Sequence, residues 1–196
     1  MLPMSLQEWV KSEAFTRDGC VNPEYRDLYL DIGFFTVQFA ACELNITALL
    51  QVATQSNDPK SFDLLVSGMD ARVKVSRFRQ AAKLYSSLGP LLSERLDVFE
   101  RQAIKLRNKL AHGTLIPSKD PQVYEIVSVL KQPESVSNRT DRHERPERIR
   151  SDRIWQLGAW LNLFAFDLAH AMLVWGFNSE FELRTPRTPV LLAGIP

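Results

Sequence analysis

The sequence is poor in cysteine, with only Cys20 and Cys42 among 196 residues. The two cysteines form no ligand cluster, and Cys42 lies in an apolar helical run, where a buried thiol behaves as a small hydrophobic side chain. The N-terminal stretch MLPMSLQEWVKSEAF has polar residues where a signal peptide carries its apolar segment. We therefore expect a protein of the reducing cytoplasm.

The chain also lacks an excess of charge of either sign, because 24 Lys and Arg residues balance 23 Asp and Glu residues. A domain with a strong electrostatic attraction to nucleic acid or membranes usually carries a clear net charge. Charge is concentrated locally, however, because residues 71–109 contain ten basic and three acidic residues. This basic excess surrounds a polar motif at residues 106–113.

Motifs of several common enzyme classes are missing. The sequence has no glycine-rich phosphate loop, no zinc-binding cysteine pattern and no serine nucleophile motif. Asp167 and His170 could join Glu43 as metal ligands, but the three residues lack the spacing of a metal site. We favour a satisfied core pair for Asp167 and His170, and we expect neither a metal nor another cofactor.

A hydrophobic run that resembles a membrane span occurs only at residues 159–177, AWLNLFAFDLAHAMLVWGF. Its interior contains Asn162, Asp167 and His170, and ionisable groups are costly inside a bilayer. We interpret this run as a buried helix and expect no membrane contact.

The spacing of apolar residues predicts an all-α fold with a β-hairpin inserted after Gly113. Asn22 and Pro23 indicate where the longest helix begins. The alternation in ARVKVSRF leaves open whether residues 71–79 form a helix or a strand. The hairpin is predicted from TLIP, the polar SKDPQ turn and the β-branched VYEIVSVL. Helices are predicted near residues 5–15, 23–53, 61–86, 92–112 and 152–177.

We expect one domain over residues 1–196, with an N-terminal extension at 1–20 and an extended, proline-containing tail at 178–196. Residues 131–153 are polar, and the part from Arg139 to Arg153 contains six arginines and four acidic residues. Such a run is typical of a solvated, mobile connection. The alternative is a segment that grips RNA.

Two features predict a two-fold dimer. Gly33, Ala40 and Thr47 recur at every seventh position of the longest helix, and small residues let another helix approach closely. The last helix is apolar on nearly all sides, which indicates contacts on more than one face.

The motif LRNKLAHG places Arg107, Asn108 and His112 just before Gly113, which is a helix stop signal. On a helical wheel Asn108 and His112 lie on a polar stripe, whereas Arg107 lies about 140° from His112, at the border of the core. These groups could simply form a solvated face. They could also perform chemistry, because an imidazole, with an ordinary pKa near ~6.5, suits proton transfer and a guanidinium can clamp a phosphate.

This motif resembles the signature of the HEPN superfamily, in which an arginine and a histidine are separated by four to six residues. The asparagine that commonly follows the arginine is present as Asn108. The resemblance implies an up-and-down bundle of four to five helices, a homodimer and metal-independent RNA cleavage, as in toxins or phage-defence effectors that pair with a cognate antitoxin protein. Arg107, Asn108 and His112 are then the catalytic residues, supported by Glu43 or Asn45.

In a dimer, two copies of the motif could bring Arg107 and His112 of each chain into one cleft. Arg101, Lys105 and Lys109 of the same helix are the expected RNA-binding residues. Because the family also contains members without activity, the alternative is a non-catalytic helical module that binds a nucleotide, RNA or a protein.

Overall fold

A computed structural model of the chain describes residues 26–54, 56–85, 88–118, 120, 122–128, 147–175 and 183–187. This part is mostly helical, with a small three-stranded antiparallel sheet. The helix predicted near residues 5–15 and the predicted helix start at Asn22 and Pro23 lie outside the described residues. The elements in chain order are α1 (Arg26–Ala53), α2 (Pro59–Val66), α3 (Ala71–Tyr85), α4 (three consecutive stretches, Leu88–Val98, Phe99–Ile104 and Lys105–His112), β1 (Gly113–Pro117), β2 (Val123–Ser128), β3 (Glu147–Arg150) and α5 (Ser151–Val174).

The core is built on the long contact between α1 and α5. The apolar residues of α1 recur at the three and four spacing that predicts a core-facing helix, and this is confirmed, since Phe35, Phe39, Cys42, Ile46 and Leu49 are buried and Ile32 packs against them. The two helices approach closely at Gly158, where an added Cβ would lie 2.8 Å from the ring of Phe34. Only a residue without a side chain permits this approach without displacing α1.

Residues 59–85 form two helices, not the single helix predicted at 61–86. The Asp58 side chain caps α2 by accepting a hydrogen bond from Lys60 N, and Pro59 occupies the first turn. Asp70 does the same for α3 by accepting from Val73 N at 2.8 Å. The chain therefore breaks between residues 66 and 71. Residues 71–79 are helical, so the strand alternative is wrong.

Helix α4 begins at Leu88, four residues before its predicted start, with Pro90 in the first turn, where proline is tolerated. The spacing of its apolar residues predicts core positions at Leu96, Phe99, Ala103, Leu106 and Leu110; the first four are buried, and Leu110 is partly buried against the core. The stretch Phe99–Ile104 is π-helical, a rare local widening that occurs frequently at functional sites.

The predicted hairpin is confirmed, because β1 pairs with β2 antiparallel, with Leu115 opposite Ile126. A third strand, β3, pairs with the other edge of β2, with Ile149 opposite Tyr124. The prediction of a mobile connection is therefore wrong for residues 147–153, which form β3 and the first turn of α5. The open edge of β2 offers backbone N–H and C=O groups, and the backbone of this short arginine-rich segment forms its hydrogen bonds with them. Residues 131–146 lie outside the described residues.

The described part of the predicted tail, residues 183–187, lies against α4 and α5, and we call it the C-terminal strap. Arg184 N and Thr185 N each donate to the Asp167 carboxylate at 2.9 Å, and the Thr185 hydroxyl donates to it as well. Trp160 Nε1 donates to Pro186 O at 3.0 Å. The predicted core pair of Asp167 and His170 is wrong, because Asp167 is buried against the strap whereas His170 is exposed.

By length and composition, two helices could cross a membrane, at Asp27–Ala53 and Ser151–Val174. Core helices of soluble proteins have the same properties, so the length and composition of these two helices are weak evidence for a membrane span. The sequence had indicated only the second of them.

Candidate functional site

The motif side chains are exposed at the end of α4. Arg107, Asn108 and His112 all lie on the stretch Lys105–His112, which passes directly into β1 at Gly113. Gly113 has extended backbone angles, φ −112° and ψ 157°, which any residue can adopt. The helix therefore stops here because the chain enters the sheet.

Arg107 is the motif residue whose predicted position is wrong. The wheel placed it at the border of the core beside Ile104 and Ala111, but Arg107 and Ala111 are exposed and only Ile104 is buried. The main tertiary contacts of the stretch Lys105–His112 within the described residues are with β1 and β2, not with another helix. Arg107 Nη1 instead donates to the Oδ1 atom of its neighbour Asn108 at 3.2 Å.

Among the described residues of one chain, the motif side chains do not form a closed catalytic site. Five residues of α-helix turn the chain by about 140°, so Arg107 and His112 point to different sides of α4. Both side chains are accessible to a ligand or to a second molecule. A shared site would need a second copy of the motif.

A basic cleft of about 160 Å³ runs along the side of α4 that faces β2, β3 and α5. The three predicted RNA-binding residues, Arg101, Lys105 and Lys109, line it together. Arg148 of β3 and Arg153 of α5 line the opposite side, and the described lining contains no acidic residue. Five cations around one concavity form a site with a strong preference for anions.

The sequence did not identify Arg148 and Arg153 as binding residues. They lie in the segment interpreted as a mobile connection, for which an RNA-gripping role was the alternative. The run of arginines was the feature of the sequence that indicated a binding role. The position of Arg148 and Arg153 beside α4, however, depends on the pairing of β3 with β2.

Most of these cations are not engaged elsewhere in the described part of the chain. Arg101, Lys105 and Arg153 have no ion pair there, and Arg148 pairs with Glu125 at 3.2 Å. That pair is exposed on the Arg148 side, and exposed pairs typically contribute less than about 1 kcal/mol. An arriving phosphate can therefore compete with Glu125 for Arg148.

The predicted supporting residues, Glu43 and Asn45, are engaged between helices. Glu43 forms an ion pair with Lys74 of α3 at 2.9 Å, and Asn45 Nδ2 donates to the backbone oxygen of Ala165 in α5 at 2.9 Å. Their support of the motif stays a prediction. Among the described residues, no group of three or more His, Cys, Asp or Glu side chains could hold a metal ion.

Comparison with known proteins leaves the chain without an assigned relative, because no family model, curated protein or solved structure matches it.

Proposed function

We propose that the protein is a metal-independent endoribonuclease of the HEPN type, built as an up-and-down helical bundle. The observation that carries this proposal is the placement of one helix: α4 presents the exposed motif at its end and three cations of the basic cleft along its side. RNA held by the cleft would thus lie beside a histidine and an arginine.

The chemistry follows from the three motif side chains. His112 transfers a proton, either from the ribose 2′-hydroxyl or to the leaving oxygen. Arg107 stabilises the negative charge that develops on the phosphorane. Asn108, through its 3.2 Å hydrogen bond, orients the Arg107 guanidinium. The 2′-hydroxyl is the nucleophile, so the product carries a 2′,3′-cyclic phosphate.

A homodimer is part of the proposal, because it would allow Arg107 of one protomer to act with a histidine of its partner. Large apolar side chains on the exposed face of α1 support a second copy, since Leu30, Val37 and Leu44 are each more than 60% exposed. They alternate with Gly33 and Ala40 at the three and four spacing of helix pairs. An added Cβ at Gly33 would meet nothing within 4 Å in this chain.

The test is cleavage of unmodified RNA in the presence of a chelator. We expect His112→Ala to lose about 10²–10⁴ in rate and Arg107→Ala about 10²–10³. His170→Ala and Arg77→Ala are matched controls, since both side chains are exposed on other helices and neither belongs to the motif. Both controls should cleave at the wild-type rate.

Mixing the two inactive variants tests the composite site. Subunit exchange between His112→Ala and Arg107→Ala proteins creates dimers with one intact pair of residues, so we expect part of the activity to return. Wild-type protein that cleaves no RNA, or a His112→Ala variant with full activity, would refute the nuclease.

A non-catalytic RNA-binding module is the second candidate. The observation in its favour is the separation of Arg107 and His112 on different sides of α4 in one chain. It predicts RNA binding without cleavage by wild-type protein, and a strictly monomeric mass at micromolar concentration would favour it.

A further inference from the structure

The basic cleft has a charged and an apolar part. Its five cations, Arg101, Lys105, Lys109, Arg148 and Arg153, come from α4, β3 and α5, and Gln102 lines it as well. Four apolar side chains also line it: Leu106, Ile126 and Leu157, which are buried, and Ile149, which is half-buried. A surface that only attracts phosphates would not need an apolar lining, because phosphate contacts are charged and polar.

The size of the cleft limits what can enter it. Its volume is about 160 Å³. Pockets for whole drug-sized ligands begin at about 300 Å³. The cleft therefore fits one planar ring or one sugar–phosphate unit, with the rest of the ligand outside it.

The cations extend along the helix beyond the cavity itself. Lys105 and Lys109 are four residues apart on the α-helical stretch of α4, which corresponds to about 6 Å of helix rise, and Arg101 precedes them on the π-helical stretch. His112 lies roughly 4.5 Å further along the same axis. A phosphodiester strand that follows these cations is led from the cleft to the motif.

From these features we infer that the basic cleft binds single-stranded RNA, with one unpaired base against the apolar lining and the flanking phosphates on the five cations. Bases in a duplex are stacked and paired, so they cannot enter a cavity of this size, whereas unpaired bases can be splayed out. Arg148 and Arg153 are the new binding residues, and they form the wall opposite α4. The choice of RNA as the ligand rests on the proposed function.

The experiment measures binding separately from cleavage. The probe is a fluorescent 12-nucleotide single-stranded RNA with 2′-O-methyl groups, which lacks the attacking hydroxyl and cannot be cleaved by the proposed mechanism. Binding is followed by fluorescence anisotropy at several salt concentrations. Failure of the nuclease would be seen with unmodified RNA only, so the two proposals fail in distinguishable ways.

The decisive variant is Arg148→Gln/Arg153→Gln, compared with the control Arg77→Gln/Arg184→Gln. The control removes the same charge from two exposed arginines outside the cleft. We expect the cleft variant to bind about 10-fold to 100-fold more weakly, because it loses two charge-assisted contacts. The slope of log affinity against log salt should fall by about 1.4, since each phosphate contact to a single strand contributes about 0.7. The control should bind within about threefold of wild type.

A second variant and a duplex probe complete the test. Lys105→Gln changes the other wall and should also weaken binding, while circular dichroism checks that each variant is folded. A duplex of the same sequence should bind at least about tenfold more weakly than the single strand. The inference is overturned if wild type does not bind the probe, if the cleft variant binds as tightly as the control, or if the duplex binds as well as the single strand.

Discussion

Removing the Asp167 carboxylate should release the C-terminal strap. Asp167 is 1% exposed and accepts hydrogen bonds from Arg184 N, Thr185 N and the Thr185 hydroxyl. In Asp167→Ala these three donors lose their acceptor. Thr185 is buried, and a buried donor without a partner costs about 1–3 kcal/mol, so a strap that stayed in place would lose roughly 2–6 kcal/mol for the two Thr185 donors alone.

The strap can detach from α4 and α5, and this limits the loss in the free energy of unfolding. If it detaches, its donors bind water, and the protein loses only the free energy of docking the strap. That free energy includes the contacts to Trp160 and Arg95 as well as those to Asp167. We therefore expect a loss of about 3–5 kcal/mol in the free energy of unfolding, which lowers Tm by about 10 °C for a chain of this length.

Urea unfolding of four proteins measures the effect: the full chain and a chain ending at Leu183, each with and without Asp167→Ala. In the shortened chain the carboxylate no longer has the strap donors, so its replacement by alanine should be neutral or stabilising. The sign of the change should thus differ between the two backgrounds. An equal loss in both would show that the strap is not what Asp167 stabilises.

Three further predictions follow from single positions. Gly158→Ala should destabilise by about 1–2 kcal/mol, because the added methyl overpacks the contact of α1 with α5. Gly68→Ala, in open space outside the proposed dimer face, should instead stabilise by about 0.4–1 kcal/mol. Thermal unfolding compares the two, and equal signs would contradict the close approach. Burial and repulsion from neighbouring carboxylates raise the pKa of Asp31, so its ionisation destabilises the fold as pH rises above about 4. Asp31→Asn should therefore raise Tm at pH 7 but not at pH 3. An equal gain in Tm at both pH values would refute this reasoning. Burial raises the pKa of the Cys42 thiol, so Cys42 should react with a thiol reagent at pH 8 only after the protein unfolds. The labelling is measured in a Cys20→Ser variant. Rapid labelling of the folded variant would contradict the burial of Cys42.

The interior faces of the helices were predictable from the sequence because a helix face depends on local spacing. The stripe of α1 from Phe35 to Leu49 and the buried positions of α4 follow a 3.6-residue period that is visible in the residues themselves. The hairpin was also predictable, since β-branched runs and a polar turn are local signals. The break between α2 and α3 was present in the sequence as the capping residue Asp70, but the apolar period continued across it and suggested one helix.

The motif was only partly predictable. The exposure of His112 followed from the wheel, whereas Arg107 was placed at the core border. A wheel assigns a direction to each side chain, but it does not show where the neighbouring helices end. Arg107 is exposed because no described part of the chain covers the last turn of α4 on that side.

The sequence by itself determined the core faces of α1 and α4, the hairpin and the basic stripe of α4, because each depends on residues that are close along the chain. Only the tertiary structure decided that Arg148 and Arg153 lie opposite that stripe, and that Asp167 holds the strap. Arg148 is 39 positions from Lys109 in the sequence, and β3 brings the two together by pairing with β2. A local pattern carries no information about such a pairing, because the strand gains its hydrogen bonds and its position from a partner elsewhere in the chain.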